Sequence, residues 1–365
     1  MTLSFPRSLD AAWEQIRSWL EPLRQAWPNL QVHEEILPHG TPWRWIYAPA
    51  RRQPQRVLML GAGLHGIEGH VGVAILDLFL REFAPHLDAA VTDLYLIPVA
   101  NPWGMAHGRR VNANNVDLNR NFLADQQPFP RIDNPAYEKL YPFLNPQGPV
   151  RRADRWRFWL RGLKAIAQAG GPSALRSASL QGQSQFPEGI FYTGQDIEPE
   201  THNLQRLISR AFQRPQVLYI DIHTGYGPKH QLSIVVPEKE PRTNEELAQQ
   251  LSYPHIDRVR SETFYRIQGD LGGYLMRRGQ ALGVPTTYLG FEFGTWGASL
   301  AAQLRSLRAM VLENQLHRFG AEDPSVAAWV RQEFRDLFFP QDPEWRRAAE
   351  TQARQAFRGV LRAFA

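Results

Sequence analysis

The chain has 365 residues, 43% of them hydrophobic and 21% charged, and a polymer of that length buries roughly 75% of its unfolded surface on folding. That composition excludes a disordered or fibrous chain and leaves room for one large core or two ordinary ones. Its net charge of +5 comes from 37 Arg and 4 Lys against 36 acidic residues, with no basic run longer than two, so a polyanion-binding tail and a nucleic-acid partner are not expected.

Arg7 and Asp10 interrupt the first residues, and no stretch approaches 18 uninterrupted apolar residues, so the sequence predicts a soluble cytoplasmic protein without a membrane partner. Leu9, Ala12, Trp13, Ile16, Trp19, Leu20 and Leu23 follow helical spacing and predict one opening amphipathic helix. Strand-like runs follow near Leu30–Leu37 and Trp43–Ala48, then RVLMLG at Arg56–Gly61, a helix over Glu68–Arg81 and a strand over Thr92–Val99. Strand, helix and strand in that order make a βαβ unit, so the sheet is at least partly parallel. The Asn- and Gly-rich stretch Asn101–Phe122 reads as a long loop. Residues 126–200, rich in Pro, Gly and Arg, read as an insert with one helix at Asp154–Gln168. Regular alternation resumes with a helix at Thr201–Phe212, strands at Gln216–His223 and Gln231–Val236, a helix at Gly273–Leu282 and a strand at Pro285–Phe293. Residues 298–365 read as a helical tail. The expectation is a single α/β domain over 1–365, with a catalytic core at about 50–300 built on a mixed, largely parallel twisted sheet with helices on both faces.

Chemistry concentrates at strand ends, where loops open onto the crevice of an α/β sheet. GAGLHGIEGH (Gly61–His70) places His65 and Glu68 three apart around a glycine-rich turn, and YIDIHTGYG (Tyr219–Gly227) ends a strand on His223. Taken alone, the first is an ordinary polar pair and the second a hydrogen-bonded strand-end histidine. Together they supply three N/O ligands and leave a fourth position open, the composition of a catalytic zinc site. Cysteine is absent, so any metal must be held by His and carboxylate. Asp221, two residues before His223, falls on the same side of the strand and is placed to orient it. Arg109, Arg110 and Arg120 stand among amides in Asn101–Phe122, where fixed guanidinium forks suit an oxyanion or carboxylate. Glu292, between Phe291 and Phe293, is either an edge-strand glutamate or a desolvated carboxyl whose raised pKa suits a general base.

The order of these motifs, HxxE, NPxG at Asn101–Gly104, VDLNRNF at Val116–Phe122, DxHTG at Asp221–Gly225 and a late strand glutamate, resembles the zinc metallocarboxypeptidase family typified by carboxypeptidase A, in a bacterial branch. The likeness runs from about Arg56 to Trp296, and VDLNRNF is its most specific part. It implies one Zn2+ held by His65, Glu68 and His223, a substrate carboxylate bound by Asn119 and Arg120, a scissile carbonyl polarised by Arg110, and Glu292 as the catalytic glutamate. Arg109 is a lesser substitute for Arg110. The tyrosine that closes over substrate matches Tyr265, with Tyr274 competing. The implied partner is a peptide, or an N-acyl amino acid, with a free carboxylate. The insert and the missing cysteines depart from the secreted enzymes.

The sequence admits three other readings. The ligand set also serves N-acyl amino acid deacylases related to aspartoacylase and succinylglutamate desuccinylase. Gly61, Gly63 and Gly66 match the dinucleotide fingerprint GxGxxG, which requires an acidic residue at the end of the next strand, whereas Asp93 lies at its start. The basic segment Arg151–Lys164 carries six basic residues and one acidic, and could make a non-catalytic binding protein; Trp156, Trp159, Leu160 and Leu163 fall at helical spacing and would serve a core equally well.

Overall fold

The strands are β1 (Gln31–Ile36), β2 (Pro42–Ala48), β3 (Arg56–Ala62), β4 (Thr92–Ile97), β5 (Val217–Thr224), β6 (Leu232–Val236), β7 (Ile256–Arg258) and β8 (Thr286–Phe293). They form one eight-stranded sheet in the order β1-β2-β4-β3-β5-β8-β6-β7 in the computed structural model, which describes residues 3–123, 128–259 and 268–364. β4, β3, β5 and β8 run parallel, β2 and β6 flank them antiparallel, and β1 and β7 lie at the edges.

The central strands read as continuous apolar runs because both sides are covered. Alternate side chains of β3 enter opposite cores. Leu58 and Leu60 join Ile220, Ile222, Phe291 and Phe293 beneath the helices Gly69–Glu82 and Pro343–Phe364. Val57 and Met59 join Val217, Tyr219, Leu204 and Leu275 beneath the helices Pro199–Ala211 and Leu271–Leu282. The mixed, largely parallel sheet with helices on both faces is therefore as expected. The chain leaves β3 for β4 on one side, while β5 lies on the other, so the strand order reverses between β3 and β5 and opens a crevice at their C-terminal ends.

Three helices of the insert, Pro135–Leu144, Asp154–Ala169 and Pro172–Leu180, build a small core of their own around Tyr137, Leu140, Phe143 and Leu175, joined by Val311 of the tail. The tail is helical, at Leu300–Phe319, Pro324–Phe338 and Pro343–Phe364. Among the described residues, no helix is long and apolar enough to cross a membrane.

Several elements differ from expectation. The opening helix is two, Leu9–Arg17 and Leu20–Ala26. Pro22 has no N–H for the carbonyl of Ser18 and its ring would collide with that carbonyl, which favours a break ahead of it. The stretch read as a loop contains the helix Pro102–His107, with Asn101 capping Gly104 N at 2.8 Å and Gly108 ending it at φ 64°. The Asn, Pro and Gly that signalled a loop are its capping residues. Helix Asn244–Leu251, with its capping box of Thr243 and Glu246, was not expected. Trp156, Leu160 and Leu163 do not serve a core: they are 56%, 61% and 65% exposed, while Phe158, Gly162 and Ala165 face inward.

Candidate functional site

At the end of β3 the chain turns through Gly63, at φ 62°, and enters a short 3-10 turn, Gly66–Glu68, that leads straight into helix Gly69–Glu82. This turn is pinned to the next loop by Gly66 N donating to Arg110 O at 3.1 Å and Ile67 N to Arg109 O at 2.8 Å. A Cβ on Gly66 would lie 2.2 Å from the backbone carbon of Gly104. Gly66→Ala must therefore push two backbones apart, and we expect it to cost on the order of 1–3 kcal/mol and to weaken metal binding as His65 and Glu68 shift. Thermal denaturation and a metal titration of the variant check both effects. His223 is the penultimate residue of β5, and Asp221 follows the two-residue period onto the same face.

These pieces converge. His65 Nδ1 lies 2.8 Å from Glu68 Oε1 and His223 Nδ1 lies 3.0 Å from Glu68 Oε2, all three residues being buried. Each ring is backed by a second carboxylate: His65 Nε2 is 3.3 Å from Asp117 Oδ1, and His223 Nε2 is 2.8 Å from Asp221 Oδ2, which also accepts from Tyr288 Oη at 3.0 Å. The three residues form a group whose ligand atoms lie within 4.8 Å of one another, and they can hold a metal ion. The donor chemistry fits one. With the Nε2 proton of His223 directed at Asp221, and Nε2 of His65 3.3 Å from Asp117 without a hydrogen-bond partner, both Nδ1 atoms are turned onto an anionic carboxylate, an arrangement that a shared cation stabilises. Burial opposes charge here, yet His65 and His223 hold the Glu68 carboxyl well below the usual range, and Asp221 and Glu68 hold His223 well above its usual value.

Arg110 bridges the carboxylates, with Nη1 3.3 Å from Glu68 Oε1 and with Nε and Nη2 3.3 and 3.2 Å from Asp117 Oδ2. Arg109 points the other way, into Glu313 and Asn314 of the tail, so it is a structural arginine. Asn119 accepts from Leu271 N at 3.0 Å through Oδ1, which leaves its amide nitrogen as the donor. Arg120 is buried, spends Nε and Nη2 on the carbonyl of Leu180 in the insert, and puts Nη1 on Asn119 O. Glu292 stands opposite His223 in the β5–β8 register and accepts from Tyr226 N at 3.0 Å. Burial pushes its carboxyl up to about 8; Glu68 adds to the rise, and His223 and Arg110 oppose it.

His65, Glu68, Arg110, Asn119, Arg120, His223 and Glu292 all line one cleft with a cavity of about 280 Å³. Tyr265 lies outside the described residues, and Tyr274 is buried against Phe122 behind the cleft. Sequence reasoning missed Asp117, Tyr226 and Tyr288. Asp117 was open to discovery, since it sits inside VDLNRNF; Tyr288 reaches Asp221 only through strand pairing, which no local signal records. Asp93 binds Arg214 and Tyr47 at the end of β4 away from the crevice, so it is not the strand-end acid that the dinucleotide reading requires.

Fold and site together define a sheet-borne cleft around a His–Glu–His group. The chain belongs to the family described as Protein of unknown function (DUF2817), which matches residues 46–352. Over 85 residues it is 39% identical to murein peptide amidase A of Escherichia coli strain K12; the stretch is 23% of this chain and 32% of that protein, so the match spans about a third of the curated relative. Among solved structures it is similar to bovine thrombin-activatable fibrinolysis inhibitor in complex with tick carboxypeptidase inhibitor, at 17% identity, 89% of this chain, 97% of that chain and a TM-score of 0.47. It is also similar to carboxypeptidase A from Helicoverpa armigera, at 16% identity, 94% and 74% coverage and a TM-score of 0.48. The murein-tripeptide amidase of Escherichia coli O157 follows at 22% identity, 82% and 91% coverage and a TM-score of 0.39.

Proposed function

We propose that the chain is a zinc-dependent hydrolase that cleaves an amide bond next to a carboxylate-bearing residue, as a metallocarboxypeptidase or peptide amidase. The observation that carries this reading is the pair of imidazoles turned onto Glu68, each backed by a carboxylate, within reach of Arg110 and Glu292. The local identity with a murein peptide amidase supports the same class.

One zinc ion held by His65, Glu68 and His223 would supply Lewis acidity toward water and an amide carbonyl. Beside such a cation the Glu292 carboxyl gives up its proton more readily, so the carboxylate is available at neutral pH. Its Oε1 is fixed by the Tyr226 N–H, and Oε2 takes a proton from the attacking water and returns it to the leaving amine nitrogen. Arg110 donates to the carbonyl oxygen as negative charge develops there. Asn119 Nδ2 and the remaining donors of Arg120 hold the substrate carboxylate. Arg110→Ala should lower kcat by about 100- to 1,000-fold with little change in KM, which steady-state kinetics on the zinc-loaded protein would check.

The deciding experiment sets short peptides and N-acyl amino acids side by side, each with a free or an amidated carboxyl terminus. Hydrolysis confined to the free acids is expected. Equal hydrolysis of the amidated substrates would remove the role given to Asn119 and Arg120, and the ratio of peptide to N-acyl turnover separates carboxypeptidase from deacylase.

A further inference from the structure

Helix Asp154–Ala169 carries apolar residues on two opposite sides. The inner side is held by the protein itself: Phe158 meets Phe143 at a ring-centroid distance of 4.9 Å, and Arg308 of the tail donates to Arg155 O at 3.0 Å. The outer side bears Trp156, Leu160 and Leu163, spaced four and three apart and so aligned in one stripe. Among the described residues seven large hydrophobic side chains are exposed, and three of them form this stripe, so the exposure is concentrated rather than scattered.

Basic residues border the stripe. The helical period places Arg157 and Lys164 along one edge and Arg155 along the other, and the Arg157 guanidinium lies over the Trp156 ring, 5.4 Å from its centroid. The one acid of the segment does not share this surface: Asp154 is buried, accepts from Arg151 N at 2.9 Å and lies 3.7 Å from Arg161 Nη1. The basic excess of Arg151–Lys164 equals the +5 of the whole chain. Beside the stripe is a depression lined by Arg152, Arg155, Trp156, Trp159, Arg308 and Glu322, where Glu322 accepts from Arg152 N.

Charge decides among occupants. An isologous contact with a second copy would set these arginines against their own kind. A nucleic acid would meet the guanidinium groups but has no use for the aliphatic Leu160 and Leu163. A bilayer surface rich in anionic lipid takes both: phosphates pair with Arg and Lys, tryptophan sits at headgroup level and the leucines enter the acyl boundary. We propose that the outer face of helix Asp154–Ala169 docks the protein on an anionic lipid surface, with the helix lying flat on it. No membrane partner is expected from sequence while these residues can serve a core; their exposure removes that alternative.

The test is flotation of the full chain with vesicles of phosphatidylcholine alone and of phosphatidylcholine mixed with an equal share of phosphatidylglycerol. Each basic residue near an anionic surface contributes about fivefold to affinity, so binding to the neutral vesicles should be weaker by more than about tenfold. Arg157→Glu combined with Lys164→Glu should weaken binding to the anionic vesicles by about 25-fold or more, and Leu160→Ser combined with Leu163→Ser by about tenfold or more. Leu160, Leu163 and Lys164 are exposed, so both double variants should keep the wild-type melting temperature. Brominated acyl chains should quench tryptophan fluorescence, and quench it less in Trp156→Phe. Absence of binding to the anionic vesicles, or binding that either double variant leaves intact, overturns the proposal. A wild-type dimer that Leu160→Ser with Leu163→Ser turns into a monomer, without vesicle binding, overturns it in favour of a second copy. Tighter binding of a single-stranded oligonucleotide than of the anionic vesicles, lost in the same variants, overturns it in favour of nucleic acid.

Discussion

Glu292→Gln should fold, keep its metal, and lose about 100- to 10,000-fold in turnover. The amide preserves the shape of the side chain and still accepts from the Tyr226 N–H through its oxygen, so the β8 end stays in place. What disappears is the proton acceptor proposed above. The same variant makes a second, independent prediction on the metal-free protein. Burial raises the folded carboxyl to about 8, whereas an unfolded glutamate titrates near ~4.3. Between these values the folded chain holds a proton that the unfolded chain has released, so stability from this group is present at low pH and is lost as pH rises from about 4 to about 8. Glutamine has no proton to lose. Urea unfolding of the metal-free proteins should therefore show wild type losing stability relative to Glu292→Gln across that window. A constant difference would mean that Glu292 ionises in the folded chain as it does in water.

His223→Ala should abolish stoichiometric zinc binding, and it carries the largest structural cost of the single changes considered. Its ring lies between two buried carboxylates, with Nδ1 on Glu68 and Nε2 on Asp221. Removing one partner from a buried charged group typically costs about 3–5 kcal/mol, because the charge left behind has no water to replace it. Glu68 keeps His65, Arg110 and the Thr224 N–H, and Asp221 keeps Tyr288, so the variant should remain folded at a lower melting temperature. Chelation of the wild type should lower its melting temperature too, by the free energy with which zinc binds the folded state alone. Differential scanning calorimetry of wild type, chelated wild type and His223→Ala would place the two effects on one scale; an unchanged melting temperature for the variant would show that the cluster bears no buried charge.

The parallel core was legible because strands buried on both faces are largely apolar along their length, and RVLMLG, TDLYLIPV and QVLYIDIH are such runs. The elements that escaped notice are those whose local signal is ambiguous. Helix Pro102–His107 begins and ends with the residues that also make turns, and β7 has only three residues. At the site, His65 and Glu68 announce themselves by adjacency in sequence, whereas the pairing of His223 with Glu292 depends on β5 and β8 lying side by side, which sequence spacing does not encode. The choice between Arg109 and Arg110 needed the tail: Glu313, more than 200 residues away, captures Arg109 and leaves Arg110 beside Glu68. The basic segment of the insert followed the helical period, but which apolar residues it buries was set by Phe143 and its neighbours rather than by the pattern itself.

Elemental analysis of the purified protein tests the central claim most directly. One zinc per chain in the wild type and in Glu292→Gln, with none in His65→Ala or His223→Ala, is the predicted result; a wild type that is folded, metal-free and unable to take up zinc on titration would contradict it.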